Sequence, residues 1–290
     1  MDALKTLLPA VVSAGLTLLV FGIGLDASPD DALYMVRHPR KLLSAIVAIC
    51  IVVPIVAVAV VDVLPLRTAV RAGIILMAVS PLPPFLPGKA LKLSGDRQYV
   101  YGLFVAFAVL TVAIVPITVA ILSSIYQADI SLSPLVLGRT MLGDVLLPLA
   151  VGMALRAMLP RLAERLAPLV SMLAIAVLVL IVILIVIKTF PAILAAVGNG
   201  SVLAICLIVA AAIAAGHIAG GPDLNQRAAL AASAATRHPG IALLIVKTND
   251  LHKSIIAVIL LFVLISLAEF MIYQVWIKRY RRRLSTAAGG

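Results

Sequence analysis

The sequence predicts an all-α polytopic membrane protein of about nine transmembrane helices, two of them broken and crossing each other. Three observations carry this. Of the 290 residues, 63% are hydrophobic and only 12% charged, with a mean hydropathy of +1.21; soluble domains are typically about 45–50% apolar and about 25% charged. The apolar residues fall in runs of about 20, enough to cross about 30 Å of hydrocarbon, and none alternates like a barrel strand. One run, from about Arg71 to Leu93, contains Ser80-Pro81-Leu82-Pro83-Pro84-Phe85-Leu86-Pro87-Gly88. Proline lacks the amide proton and its ring clashes with the carbonyl one turn back. That run must therefore be two half-helices meeting at a non-helical joint.

In chain order the expected spans are Leu7–Leu25, Leu42–Val61, Thr68–Leu93, Gln98–Ile125, Val136–Ala157, Pro168–Lys188, Ser201–Gly220, Leu224–Val246 and Ser254–Ile277. The third is broken at Pro83, Pro84 and Pro87, and the eighth at Thr236-Arg237-His238-Pro239-Gly240. Pro54, Pro116, Pro148 and Pro191 read as kinks or loop punctuation. Spans 1 to 4 and 6 to 9 share the order plain, plain, broken, plain, and run in opposite directions. This divides the chain into a first repeat over 1–125 and a second over 126–290, with span 5 as an extra leading helix and no soluble domain. Paired broken spans in inverted halves point to a transporter's substrate site near mid-membrane.

Basic residues set the orientation. The first connection carries Arg37, Arg40 and Lys41, the third Arg97, and the fifth Arg156, Arg161 and Arg165; the tail carries Lys278, Arg279 and Arg281 to Arg283. The segments 126–134 and 190–200 carry none. The expectation is an integral protein of the plasma or inner membrane, N-terminus outside and C-terminus cytoplasmic. The net charge of +11 is read as juxtamembrane anchoring to lipid. No aromatic platform or groove-reading motif accompanies it, so nucleic acid is not an expected partner. Cys50 and Cys206 each lie inside an apolar run and suggest neither a disulfide framework nor a metal site. No HExxH, C-x-x-C or phosphate-cradling glycine loop is present, so neither an enzyme nor an ATP-driven pump is expected. No cofactor is expected.

Several segments carry a family resemblance. They are Phe21-Gly22-Ile23-Gly24-Leu25, Arg37-His38-Pro39-Arg40, Leu146-Leu147-Pro148 with Gly152, the broken run from Ser80 to Asp96, and Arg237-His238-Pro239-Gly240. In order and spacing the chain resembles the bile acid:sodium symporter family over nearly its whole length. The resemblance implies a core domain of two crossing broken helices, a panel domain that rocks against it, and transport of an organic anion. It also places the family's sodium ligands at Leu86, Pro87, Val100, Phe104, Ser233, Arg237 and His238. A hard cation needs several oxygens at once, and few remain there. Sodium coupling of the family type is therefore not expected.

The polar residues of the broken spans are the candidate substrate site. A charge at mid-membrane costs roughly 2.5–3.5 kcal/mol even on the lenient insertion scale, so Arg237 needs a reason. It can bind an anion bidentately, stand in for the missing sodium, or pair internally with Asp144 or Glu269. His238 can donate a hydrogen bond to substrate or couple protons, or be a satisfied interior histidine. Lys89 is a second anion contact or a snorkelling cation. Gly88 and Gly240 begin half-helices whose free N–H groups attract anions. Ser80, Ser233 and Thr236 can offer hydroxyls or bond their own backbone. Asp144 and Glu269 are proton relays or counter-ions, and Asp96 is expected to end its helix and pair with Arg97 or Lys92. The leading expectation is a secondary transporter of a small organic anion, proton-coupled or facilitative. The alternatives are a sodium symporter using backbone carbonyls at the breaks, and a membrane sensor or scaffold without transport.

Overall fold

The computed structural model describes residues 2–288, with side chains over 11–283. Every regular element among them is a helix: α1 (Asp2–Asp26), α2 (Pro29–Arg37), α3 (Pro39–Val63), α4 (Thr68–Ala78), α5 (Leu86–Ser94), α6 (Arg97–Ile125), α7 (Pro134–Met158), α8 (Pro160–Ala196), α9 (Ser201–Ala219), α10 (Leu224–Ala235), α11 (Pro239–Thr248) and α12 (Ser254–Ala288). Seven segments are long and apolar enough to cross a membrane, and eight if α1 and α2, bent by 88°, are taken together. The ninth expected span is the pair α4 and α5, 11 and 9 residues long. Neither half is long enough alone.

Both expected breaks are present. The chain leaves helical geometry after α4, and Ser80 to Pro84 are all buried in protein, a setting in which irregular backbone survives at membrane depth. Between α10 and α11, Thr236 and His238 are extended. The two breaks touch: the His238 N–H donates to the Ser80 carbonyl at 2.9 Å. Each break thus satisfies one backbone group of the other.

Two bodies pack around this joint. In the first, α1 lies against α7 and α8. Its closest approach is at Gly24 and Gly152, where a Cβ on either would fall within 2.4–2.5 Å of a carbonyl oxygen of the facing helix. In the second, α9 and α10 are in similarly close contact, a Cβ on Gly216 meeting the Leu230 carbonyl at 2.5 Å. Ala228 to Ala235 of α10 are all buried, since small side chains let helices approach closely. Around α10 lie α5, α9 and α12, and α4 packs on α12.

Three local features depart from expectation. The connection after Asp26 contains a helix, α2, capped by Ser28 and Asp31 in a capping box with Pro29 in its first turn. The sixth span runs well past Pro168–Lys188, as the 37-residue α8 with Pro168 and Pro191 inside it. Pro54 and Pro148 each follow a wide π turn, over Val47–Val52 and Leu142–Leu146. A proline leaves a carbonyl without a donor one turn back, and a π turn moves that vacancy to the i−5 residue.

Candidate functional site

The site is built by the two breaks and by the helices facing them. Arg237 is 2% exposed. Its Nη1 donates to the Ile49 carbonyl at 3.1 Å and to the Ala78 carbonyl at 3.2 Å. Both acceptors are carbonyls that the helices leave unpaired. Ile49 lies five residues before Pro54 in the π turn, and Ala78 is the last residue of α4. The negative end of the α4 dipole adds to the attraction. Nε and Nη2 are buried without a partner. The alternative of an internal ion pair with Asp144 or Glu269 is not what forms; Arg237 is held by main-chain carbonyls.

His238 caps α11. Its Nδ1 accepts from the Ile241 N–H at 3.3 Å, which puts the proton of the neutral ring on Nε2. A Cβ on Gly240 would lie 2.8 Å from Cε1 and 3.1 Å from Nδ1 of that ring, so glycine makes room for it. The ring faces a cavity of about 230 Å³ lined by Pro84 of the first break, His238, Gly240 and Lys247 of α11, and Leu16, Thr140 and Asp144 of α1 and α7. This cavity therefore lies in the cleft between the two bodies. Asp144 also accepts from the Ser13 hydroxyl at 3.3 Å.

Arg237 faces elsewhere. It lines a void of about 10 Å³ with Thr236, Lys89, Phe85, Ser266 and Phe270. The Lys89 ammonium sits 4.9 Å from the centre of the Phe85 ring and 6.0 Å from that of Phe270. The hydroxyls of Ser80, Ser233 and Thr236 each donate to the carbonyl four residues back, at 2.7 to 2.8 Å. Gly88 faces open space. Glu269 lies against the Cys206 thiol, away from both voids. Asp96 caps α6 through the Tyr99 N–H and accepts from Gln226 at 3.2 Å. It does not pair with Arg97, because Arg97 is taken by Asp26 at 3.2 Å. Sequence reasoning missed Lys247; it lies two turns after Gly240 on the same helix, and that spacing is the signal that finds it.

The positions that the family resemblance gives to sodium ligands do not fit the ion. Leu86, Val100 and Phe104 are buried apolar side chains, Ser233 donates to its own helix, and a guanidinium occupies the nearest open carbonyls. A larger cavity of about 670 Å³ lies at the end of the molecule near Arg71, Tyr126 and His252, and reaches Val79 at the edge of the first break.

Residues 13–196 match the model of the Sodium Bile acid symporter family. The chain belongs to this family of membrane transporters. The match spans α1 to α8, with the first break and both π turns, and ends before the second break. No curated protein matches the chain. Membership in the sodium bile acid symporter family agrees with the polytopic helical fold and with the order of motifs along the chain.

Proposed function

We propose that the chain is a secondary transporter that carries a small organic anion by alternating access, without the family's sodium sites. The observation that supports it most is the cavity of about 230 Å³ between the breaks and the α1–α7 face. A rocking motion of one body against the other would open and close this space. It is smaller than the roughly 300–1,000 Å³ of most ligand pockets, which favours a compact carboxylate over a steroid-sized one. In this reading the His238 Nε2–H holds the carboxylate at the positive N-terminal end of α11, and Lys247, in the last turn of that helix, adds positive charge at the far end of the cavity. α1, α7 and α8 are the panel; the crossing helices with α3, α6, α9 and α12 are the core. The two inverted repeats are 1–125 and 126–290.

Arg237 takes the structural part of the missing cation. Unwound carbonyls and half-helix ends are where related folds hold sodium, and the guanidinium donates to one of each. Coupling, where present, falls to protons. His238 is a poor carrier, because a second proton would have to enter at Nδ1, against the Ile241 N–H. Asp144, which lines the same cavity, is the coupling residue in this reading.

The test is uptake of labelled carboxylates into proteoliposomes. Replacing sodium by choline is expected to leave uptake unchanged, and His238→Ala to lower it at least about tenfold, the effect of losing one charge-assisted hydrogen bond. Asp144→Asn is expected to remove any dependence on a pH gradient. Strictly sodium-dependent uptake would overturn the reading. The proposed orientation is tested with thiol reagents in intact cells of a cysteine-free background: Asn199→Cys should label from outside and Arg161→Cys should not.

A further inference from the structure

The cavity near Arg71, Tyr126 and His252 shares no lining residue with the cleft cavity. Its volume of about 670 Å³ lies within the roughly 300–1,000 Å³ of small-molecule sites. One wall is a stripe of α4 at helical spacing, Ala72, Ile75, Leu76 and Val79, and Val119 and Leu122 of α6 form another. The stripe follows α4 for its 11 residues, about 16 Å. Ile130 closes part of the space from a non-helical segment that is fastened in place. There the Asn249 amide donates to the Ser131 carbonyl at 2.8 Å, and its oxygen accepts from the Ser131 N–H at 2.9 Å.

The polar groups gather at one end. Among the described residues, Arg71 is the only charged side chain that lines the cavity. Its Nη2 donates to the exposed Asp62 at 2.6 Å. A guanidinium carries five N–H donors, and an exposed ion pair is easily shared. Thr68, the first residue of α4, lines the same end, and Arg67 before it supplies no side-chain cap. The first N–H groups of that helix therefore stay open. The Ser123 and Tyr126 hydroxyls are already spent, on the Ala128 carbonyl and on Asp62. This end donates hydrogen bonds and carries positive charge, while the body of the cavity is apolar.

We propose that this cavity is a second binding site, for a long-chain carboxylate of the fatty-acid class. The carboxylate sits at Arg71 and the first turn of α4, and the hydrocarbon lies along the α4 stripe toward Val79. The lining selects this class: an apolar channel several turns long excludes compact polar anions, and a donor-rich cationic end excludes ammonium heads. Val79 also lines the pocket beside Arg237, with Ile49 and Ala78. The end of the chain therefore rests against the residue next to the carbonyl that holds Arg237, at the edge of the first break. Binding here and transport through the cleft can succeed or fail separately.

The experiment uses the full-length protein in phosphatidylcholine nanodiscs and radiolabelled dodecanoate, with empty nanodiscs subtracted. Binding is expected to saturate and to be displaced by unlabelled dodecanoate, but not by dodecanol or by acetate. Arg71→Gln, which removes only an exposed ion pair, should weaken it at least about tenfold in Kd. Ala72→Phe and Leu122→Trp each fill the channel and should abolish it, their unfolding midpoints showing that the variants fold. His238→Ala, which disables the proposed cleft site, should leave it intact. Absence of saturable binding would overturn the proposal. So would displacement by dodecanol as strong as by dodecanoate, the mark of a groove that takes any chain, or an affinity unchanged by Arg71→Gln. Binding lost in His238→Ala and kept in both channel-filling variants would move it to the cleft and equally overturn the proposal.

Discussion

Arg237 and His238 are neighbours in sequence and serve different voids. The chain is extended at Thr236 and His238, and in extended backbone successive side chains diverge. One change at each residue separates their roles. Arg237→Ala leaves the Ile49 and Ala78 carbonyls without a donor; the expected loss is about 2–4 kcal/mol, read as a lower unfolding midpoint. Gly240→Ala pushes a methyl into the His238 ring and should lower carboxylate uptake with little change in that midpoint. Sequence reasoning located both residues, because a charge in an apolar run has a known cost and a proline marks the break. It could not assign them to separate walls. That depends on backbone angles at three non-helical residues, which no periodicity encodes.

Prolines organise the elements in two ways. Clustered, as from Pro81 to Pro87, they end a helix outright. Single, as at Pro54 and Pro148, they are absorbed by a π turn that frees one carbonyl, and Arg237 uses the one at Ile49. The clustered case was readable from composition; the single case was not, since a lone proline can equally kink or punctuate. The α2 helix was missed: Ser28-Pro29-Asp30-Asp31 is a cap and first turn, a signal that apolar runs do not carry. Elsewhere glycine sets the spacing. Gly152→Leu would drive a side chain into the Phe21 carbonyl, 2.5 Å from the position of its first carbon. Separating α1 from α7 should cost about 1–3 kcal/mol or more, seen as a lower midpoint and easier proteolysis between the two helices.

At the scale of the whole molecule, the two bodies are tied at one end through Asp26. Its carboxylate meets Arg97 at 3.2 Å, Arg156 at 3.7 Å and the Tyr101 hydroxyl, so α1 is joined to α6 of the other body as well as to α7 of its own. Asp26 is 39% exposed, and such pairs contribute only about 0–1 kcal/mol. Asp26→Asn should therefore leave the unfolding midpoint within about 3 °C while changing the rate of carboxylate uptake. The proposed division into inverted halves rests on the order of plain and broken runs, which was legible. Which helices form which body was not, because the close contacts at Gly24, Gly152 and Gly216 are set by shape and leave no mark in hydropathy. The elbow after Asp26 adds a mechanical limit. α1 packs with one body, whereas α2 is pressed onto α6, where a Cβ on Gly102 would lie 2.9 Å from the Asp31 carbonyl. Only Ala27 and Ser28 separate the two helices, and Ser28 is pinned by its cap. If the bodies rock as proposed, a tether that short would hold the stroke at this end to a small swivel and leave the larger displacement to the opposite rim.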